Sequence, residues 1–341
     1  MYRGNYKPEG DIKTARYIAV GDAPDKMGTI YGRPFAQNTP AGSVFSWALS
    51  EAGLNRDDFY ITSVFDFVVA KDKKSKNILG DNGEPLFLDR TGFTAAGAES
   101  RERLLSELRM ATNANCIIAL GKPALAALTG HLSLGKHRGS VYKSAVDIKV
   151  IGTIHPAGAL HGEYINRYYI AADLTRFRRE AEFPELRRPQ YSFTLAPTLT
   201  EIADFCTFIR EMKPLTCVDI EVLGRSVSDI GLGISHERGL TIDFTKFTPE
   251  QEAEIWYLVS TILEDPSVPK LFQNGMFDTV MLLQQVGIIC RGQLHDSMVA
   301  QRILYPEFKA SLAVLCSLYT EPGQPYYKDM IKHGTVDKED G

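Results

Sequence analysis

Val218-Asp219-Ile220-Glu221 places two carboxylates two residues apart in an apolar run. Side chains of a strand alternate with period two, so Asp219 and Glu221 project from one face and can share a ligand. A second run, Lys270-Leu271-Phe272, reads as a strand leading through Asn274-Gly275-Met276-Phe277-Asp278 into a helix, with Asn274 and Asp278 four residues apart on one helical face. Three carboxylates brought together repel one another and need cations, and an all-oxygen donor set suits Mg²⁺ or Mn²⁺. Asp219, Glu221 and Asp278 are therefore the candidate metal ligands, with Asn274 beside them.

The elements that must position these residues form a recognisable order. An amphipathic helix at 199–213 leads into strands at 215–223, 228–236 and 239–244, a meander of three closely connected strands. Helix 249–264, strand 269–273 and helices near 275–286, 296–304 and 310–319 follow. Three antiparallel strands with the acidic pair on the first, then helix, strand and helix, is the order of a ribonuclease-H-like fold. Upstream, 17–21, 59–64 and 116–121 read as buried strands, with helices around 42–53, 98–112, 122–130 and 164–181, an α/β alternation. The first strand enters a Gly/Pro-rich loop at Gly21, the usual place for a site at a strand's carboxyl end. The Lys- and Asp-rich stretch 71–90 reads as an exposed insertion. Residues 182–193 carry two prolines and break the pattern, so a boundary falls there. The expected organisation is a first domain over 1–181, a linker over 182–198 and a second domain over 199–341.

Composition excludes several classes. The 341 residues, 44% hydrophobic and 23% charged, show no disordered, collagen-like or disulfide-rich bias. A net charge of −4 does not decide for or against nucleic acid, although Arg176, Arg178, Arg179, Arg187 and Arg188 cluster near the middle. Cys116, Cys206, Cys217, Cys290 and Cys316 are odd in number, widely spaced and set in apolar surroundings, which reads as buried thiols in a reducing compartment. No membrane span or signal core is visible, so a cytoplasmic location is expected, that of the host if a phage encodes the protein.

The second domain resembles the 3′→5′ exonuclease domain of family A (Pol I-like) DNA polymerases. Asp219-Ile-Glu221 matches its first motif, Asp-x-Glu, and Asn274-Gly-Met-Phe-Asp278 its second, Asn-x3-Asp. His295-Asp296-Ser297-Met298-Val299-Ala300-Gln301-Arg302-Ile303-Leu304 resembles the helix that follows. The resemblance implies a two-metal site in which Asp219 bridges both ions, Glu221 binds one and orients the attacking water, and Asp278 completes an outer or second-metal contact. Asn274 would hydrogen-bond the substrate strand or cap the helix that holds Asp278, and the partner would be a single-stranded 3′ end. The family's third motif, Tyr-x3-Asp, is not found: 63 residues follow Asp278, and Tyr319, Tyr326 and Tyr327 have no Asp four residues on. His333 precedes Asp337 by four, in a polar Gly-containing tail that makes a poor helix. The expectation is that the chain is the N-terminal part of a longer polymerase and that its own activity is low or nil, because two divalent ions bring +4 and these three carboxylates only −3.

The first domain resembles the uracil-DNA glycosylase superfamily, nearest its iron–sulfur type. The matching segments are Gly21-Asp22-Ala23-Pro24, Gly32-Arg33-Pro34-Phe35, Ala41-Gly42, Leu120-Gly121-Lys122-Pro123-Ala124, Arg138-Gly139 and Thr153-Ile154-His155-Pro156-Ala157. The resemblance implies a three-layer α/β domain in which Phe35 stacks on a flipped base, Asp22 orients water and His155 steadies the departing uracilate. Two departures oppose that activity. The cluster cysteines of the iron–sulfur type are replaced, so no [4Fe–4S] cluster is expected. Ser63 stands where the family reads uracil with Asn, and a hydroxyl lacks the amide's paired donor and acceptor. A retained fold that binds DNA or docks a partner without excising bases is the expected role, within a chain resembling the N-terminal region of large-phage family A polymerases. An active uracil-DNA glycosylase, an inactive DNA-binding scaffold and a ribonuclease-D-like RNA exonuclease are the alternatives.

Overall fold

The computed structural model describes residues 6–160, 162–320, 323 and 326. These divide into two compact units, one comprising the residues up to Arg187 together with those from Ala313 on, the other Arg188–Leu312.

In the first unit, strands β1 (Tyr17–Gly21) and β2 (Phe59–Ser63), four short strands β3 (Ala70–Lys71), β4 (Ile78–Leu79), β5 (Pro85–Leu88) and β6 (Gly92–Phe93), then β7 (Cys116–Leu120), β8 (Val141–Lys143) and β9 (Lys149–Thr153) alternate with helices α1 (Lys26–Tyr31), α2 (Pro40–Glu51), α3 (Ala95–Leu108), α4 (Lys122–Thr129), α5 (Leu134–His137) and α6 (Asn166–Glu180). The main sheet runs β2-β1-β7-β9-β8, parallel except for β8. Period-two alternation sends the strands' side chains to both faces. Ile18, Val20, Ile117, Ala119 and Val150 pack with Leu104 and Leu108 of α3 and Leu125 of α4. Tyr17, Ala19, Ile61, Ile118 and Ile151 pack with Phe45 and Leu49 of α2 and Leu174 and Phe177 of α6. The result is the expected three-layer α/β arrangement.

The stretch 71–90 corrects the expectation of an exposed insertion. Together with its neighbours it forms the antiparallel sheet β3-β4-β5-β6, whose Ile78, Leu86 and Phe87 join the main core. Most of its charges lie at exposed positions, which is what a charge count along the chain detects.

The second unit contains β10 (Ser192–Thr194), α7 (Leu199–Met212), β11 (Thr216–Leu223), β12 (Ser226–Gly233), β13 (Arg238–Asp243), α8 (Pro249–Leu263), β14 (Lys270–Phe272), α9 (Gly275–Val286), β15 (Leu294–Asp296) and α10 (Ser297–Leu304). Helix α11 (Leu312–Tyr319) follows, lying from Ala313 on in the first unit. Residues 192–194, within the stretch read as a linker, pair with β13 at the edge of a six-stranded sheet, β10-β13-β12-β11-β14-β15. Helices α7 and α8 each begin at a capping box, Thr198 with Glu201 and Thr248 with Gln251, which satisfies amide groups that a helix start leaves open. Their apolar sides, Ile202, Phe205 and Ile209, then Ile255, Val259 and Ile262, cover Val218, Ile220, Ile230, Leu232 and Ile242 of the sheet.

Two further expectations change. Cys217 is exposed, and Cys290 and Cys316 are half-buried, so only Cys116 and Cys206 are the buried thiols the composition implied. Asn274 and Asp278 do not share a helical face, because Asn274 precedes α9 in the left-handed conformation (φ 63°, ψ 42°) and is exposed while Asp278 is buried. Among the described residues no helix is long and apolar enough to cross a membrane.

Candidate functional site

Strand β11 alternates buried and exposed residues, with Val218 and Ile220 in the core and Cys217, Asp219 and Glu221 on the opposite, exposed face. The period-two reading of the acidic pair therefore holds in the structure. Asp278, one turn into α9 and only 4% exposed, reaches back to this strand: its Oδ1 accepts the Ile220 N–H at 3.1 Å, between the two acidic positions. Burial pushes the Asp278 carboxyl up to about 6, and the neighbouring Asp219 and Asp296 charges push the same way against the Ile220 N–H. Cys217 is exposed overall, yet crowding around its sulfur pushes the thiol up, followed by Asp219 and Asp278. Asp219, Asp278 and Cys217 are thus electrostatic neighbours on one sheet face.

Asp296, quoted within a matched segment but not singled out in the sequence, organises the approach to this site. Its carboxylate accepts four backbone N–H groups: Asn274 at 3.2 Å, Gly275 at 2.7 Å, Met298 at 2.8 Å and Val299 at 3.2 Å. One side chain therefore caps the starts of both α9 and α10. Burial works to raise the Asp296 carboxyl, but these donors more than offset it and leave it below the usual carboxylate range. The signal in the sequence was an Asp directly before a helical run, one of the favoured caps. Asn274 makes no side-chain cap bond, so the capping role proposed for it belongs to Asp296. Asp296→Ala should leave these donors without their acceptor and cost about 2 kcal/mol, read as a lowered unfolding midpoint in thermal or urea melts.

The donor set on this face, carboxylate oxygens of which one is raised by burial and then by its acidic neighbours, is chemically suited to a hard divalent cation. Among the described residues no three Asp, Glu, His or Cys side chains are arranged closely enough to hold an ion. The suitability therefore lies in donor chemistry and charge.

A second cluster lies in the first unit, at the carboxyl ends of its parallel strands. Gly21 ends β1 and Asp22 follows it, Ser63 ends β2, Gly121 follows β7 and His155 lies two residues beyond β9. Asp22 Oδ1 accepts the Ala124 N–H at 3.3 Å at the start of α4. Gly121, at φ +114°, must lack a side chain, since a Cβ there would lie 2.5 Å from the Asp22 carboxylate. Burial pushes Asp22 up to about 7, against the Ala124 N–H and Lys71. His155 Nδ1 accepts the Ala157 N–H at 3.2 Å, which places the proton of the neutral ring on Nε2. Burial, then Lys71, lowers His155 to about 4, so the ring is neutral at pH 7. The Phe35 ring lies 5.4 Å from that of His155. Phe35 is held at φ 44°, a strained conformation for a non-glycine residue, with Arg56 donating to its carbonyl at 3.0 Å and to that of Pro34 at 2.7 Å while pairing with Glu9. The structure thus brings Asp22, Phe35 and His155 together. It adds Lys71 of β3, whose charge acts on both Asp22 and His155 and which the sequence reading placed in an insertion.

Ser63 is closed to a ligand. It is 2% exposed and donates to the Phe65 carbonyl at 2.8 Å, so the 2.7 Å contact with Tyr6 has the tyrosine hydroxyl donating to Ser63. Arg103 donates to the carbonyls of Ser63 and Val64 beside it. Burial holds the Tyr6 hydroxyl far above its ordinary pKa, so it remains a protonated donor.

Residues 7–173 match the family model of the uracil DNA glycosylase superfamily, and residues 194–335 match that of the 3′–5′ exonucleases. No curated protein gives a significant match. Similar solved structures include the exoribonuclease RNase D of Escherichia coli, 21% identical, with 39% of this chain and 34% of that one covered at a TM-score of 0.32. The polymerase domain of Pol1 from M. smegmatis, bound to DNA primer-template and dNTP, is 20% identical over 36% of this chain and 21% of that one, with a TM-score of 0.29. The Nibbler exonuclease domain of Aedes aegypti is 15% identical over 45% of this chain and 79% of that one, with a TM-score of 0.35. The chain spans about a third of the length of the RNase D and about a fifth of that of the polymerase. It consists of a uracil-DNA-glycosylase-like α/β domain followed by a ribonuclease-H-like 3′–5′ exonuclease domain.

Proposed function

We propose that the chain removes nucleotides from the 3′ ends of single-stranded DNA as the proofreading part of a family A DNA polymerase, with Asp219, Glu221 and Asp278 as its catalytic carboxylates. The observation that carries this reading is the attachment of Asp278 to the strand of the acidic pair through the Ile220 N–H at 3.1 Å. Hydrolysing a phosphodiester requires charge stabilisation at the attacking hydroxide and at the departing 3′ oxygen, which two divalent ions supply when bound. Asp219 and Glu221 would hold them from the exposed face of β11, and Asp278 from α9. Glu221 would also orient the attacking water. Asn274, exposed at the mouth of α9, would hydrogen-bond the substrate strand. The glycosylase-like unit fits a DNA-binding role without base excision, because the position that reads the base spends its hydroxyl on Phe65 and Tyr6.

The test is digestion of 5′-labelled single-stranded DNA and RNA of one sequence with Mg²⁺ or Mn²⁺. Shortening of the DNA from its 3′ end supports the reading. Digestion confined to RNA replaces it with an RNA exonuclease, and no digestion of either leaves a binding module. The same DNA carrying uracil checks the first unit. Uracil release should stay at background and be unaffected by His155→Ala, whereas release that disappears in that variant would establish an active glycosylase.

A further inference from the structure

The acidic face of the second unit's sheet continues, strand by strand, to two exposed aromatic rings. Across β11 and β12, Cys217 stands opposite Gly233 and Asp219 opposite Gly231. Across β12 and β13, Gly233 stands opposite Gly239 and Gly231 opposite Thr241, and across β13 and β10 Gly239 stands opposite Phe193. Opposed residues point to the same face of a sheet. Phe193, and Tyr191 two residues before it, therefore share the face of Asp219 and Glu221. Ser192 and Thr194 turn the other way, into a cavity lined by Phe205 and Phe208 of α7.

Tyr191 and Phe193 stack on each other, their centroids 5.0 Å apart and their planes 16° from parallel, and each is about half exposed. Large apolar rings on an edge strand are ordinarily covered or replaced by charge. The path from them to the acids is floored by glycine. A Cβ at Gly231 would meet nothing nearer than the Asp219 carbonyl oxygen at 3.8 Å, and one at Gly233 only Cys217 Cβ at 3.4 Å. Phe193 leans over Gly239. Three strand spacings, roughly 14 Å, separate β10 from β11. A stacked single strand covers that distance in about four nucleotides at ~3.4 Å each. Leu195, two residues beyond Phe193, lines a cavity of about 210 Å³ with Lys246 and Asp243, whose ammonium and carboxylate pair at 3.4 Å.

We propose that Tyr191 and Phe193 form a base-stacking platform for a single nucleic-acid strand whose 3′ end lies at Asp219 and Glu221, the strand crossing the floor of Gly233 and Gly231. The proposal rests on the exonuclease reading above. Base faces stack on aromatic rings whatever the sequence, and bare glycine lets the backbone of the strand approach the sheet closely.

The test measures binding of fluorescein-labelled (dT)2, (dT)4, (dT)6 and (dT)10 to the full chain by anisotropy, in EDTA so that no turnover occurs. Affinity should climb from (dT)2 to about (dT)6 and then level off. Tyr191→Ala with Phe193→Ala should weaken (dT)6 about a hundredfold, roughly tenfold per ring, and leave (dT)2 unchanged. Tyr191→Phe should retain affinity, which separates loss of stacking from loss of fold. Unchanged (dT)6 binding in the double alanine variant would overturn the proposal. The ribose series (rU)n tells whether the platform prefers DNA or RNA. A parallel assay uses the p-nitrophenyl ester of thymidine 5′-monophosphate with Mn²⁺, a phosphodiester too short to reach the rings. If it is not cleaved while (dT)6 binding still depends on the rings, the exonuclease reading falls and the stacking site stands; cleavage with ring-independent binding sinks the stacking site alone.

Discussion

Asp219→Asn should reduce the rate of 3′-nucleotide release from single-stranded DNA by at least about a thousandfold. The substitution keeps the shape of the side chain and removes only its charge, on a strand position whose backbone lies in the middle of the sheet and whose side chain is exposed. The fold should be unaffected, which melting curves of the two proteins would verify. The expected size follows from the chemistry: charge stabilisation of a phosphodiester transition state by bound metal is worth several kcal/mol, and each 1.36 kcal/mol is a factor of about ten in rate. Because three carboxylates supply less charge than two divalent ions carry, the wild-type rate itself should be slow, and the comparison is best made in excess Mn²⁺. A loss of less than about tenfold in Asp219→Asn would remove this carboxylate from the reaction. Glu221→Gln, on the same face two residues on, should follow Asp219→Asn.

Divalent-metal affinity should fall with pH through the titration of Asp278. Its carboxyl, held at about 6 by burial and by the Asp219 and Asp296 charges, must lose its proton before it can act as a ligand. The sign is therefore fixed. Above pH 6 the ligand is ionised and affinity is flat in this group; below pH 6 protons compete with metal, and affinity drops about tenfold per unit. Titration calorimetry with Mn²⁺ at pH 7 and pH 5 should show roughly a tenfold difference. In Asp278→Asn the affinity should be low at both, with this step gone. A wild-type affinity that does not change between pH 7 and 5, or a step that survives in Asp278→Asn, would take Asp278 out of the metal site.

Much of this was legible in the sequence for identifiable reasons. Period-two alternation at Val218–Glu221 put Asp219 and Glu221 on one face because the opposite face had to be apolar, and the structure buries Val218 and Ile220 accordingly. Helix α7 could be placed from its amphipathic pattern, and the structure adds that α7 and α8 each start at a capping box, Thr198 with Glu201 and Thr248 with Gln251. The spacing of Asn274 and Asp278 misled because the helix begins one residue later than a shared face requires, and a left-handed residue at its start carries no signal when it is not glycine. The 71–90 sheet was missed because its strands are only two to four residues long, too short for periodicity, with charges in the turns between them. Lys71 and Tyr6 were invisible for a different reason. Tyr6 joins the first unit's cluster through Ser63, 57 residues away, and Lys71 through its charge on Asp22 and His155, both distant in sequence. His333 and Asp337, the pair weighed against the third exonuclease motif, lie outside the described residues.

The central claim, that Asp219, Glu221 and Asp278 together gather divalent metal for phosphodiester hydrolysis, is tested most directly by crystals of the full chain soaked in Mn²⁺ and thymidine 5′-monophosphate. The anomalous difference map should show manganese between the β11 acids and Asp278, with the nucleotide phosphate against it, and the peak should vanish in Asp219→Asn crystals. Manganese bound elsewhere in the chain, with this face empty at full soaking concentration, would contradict the account.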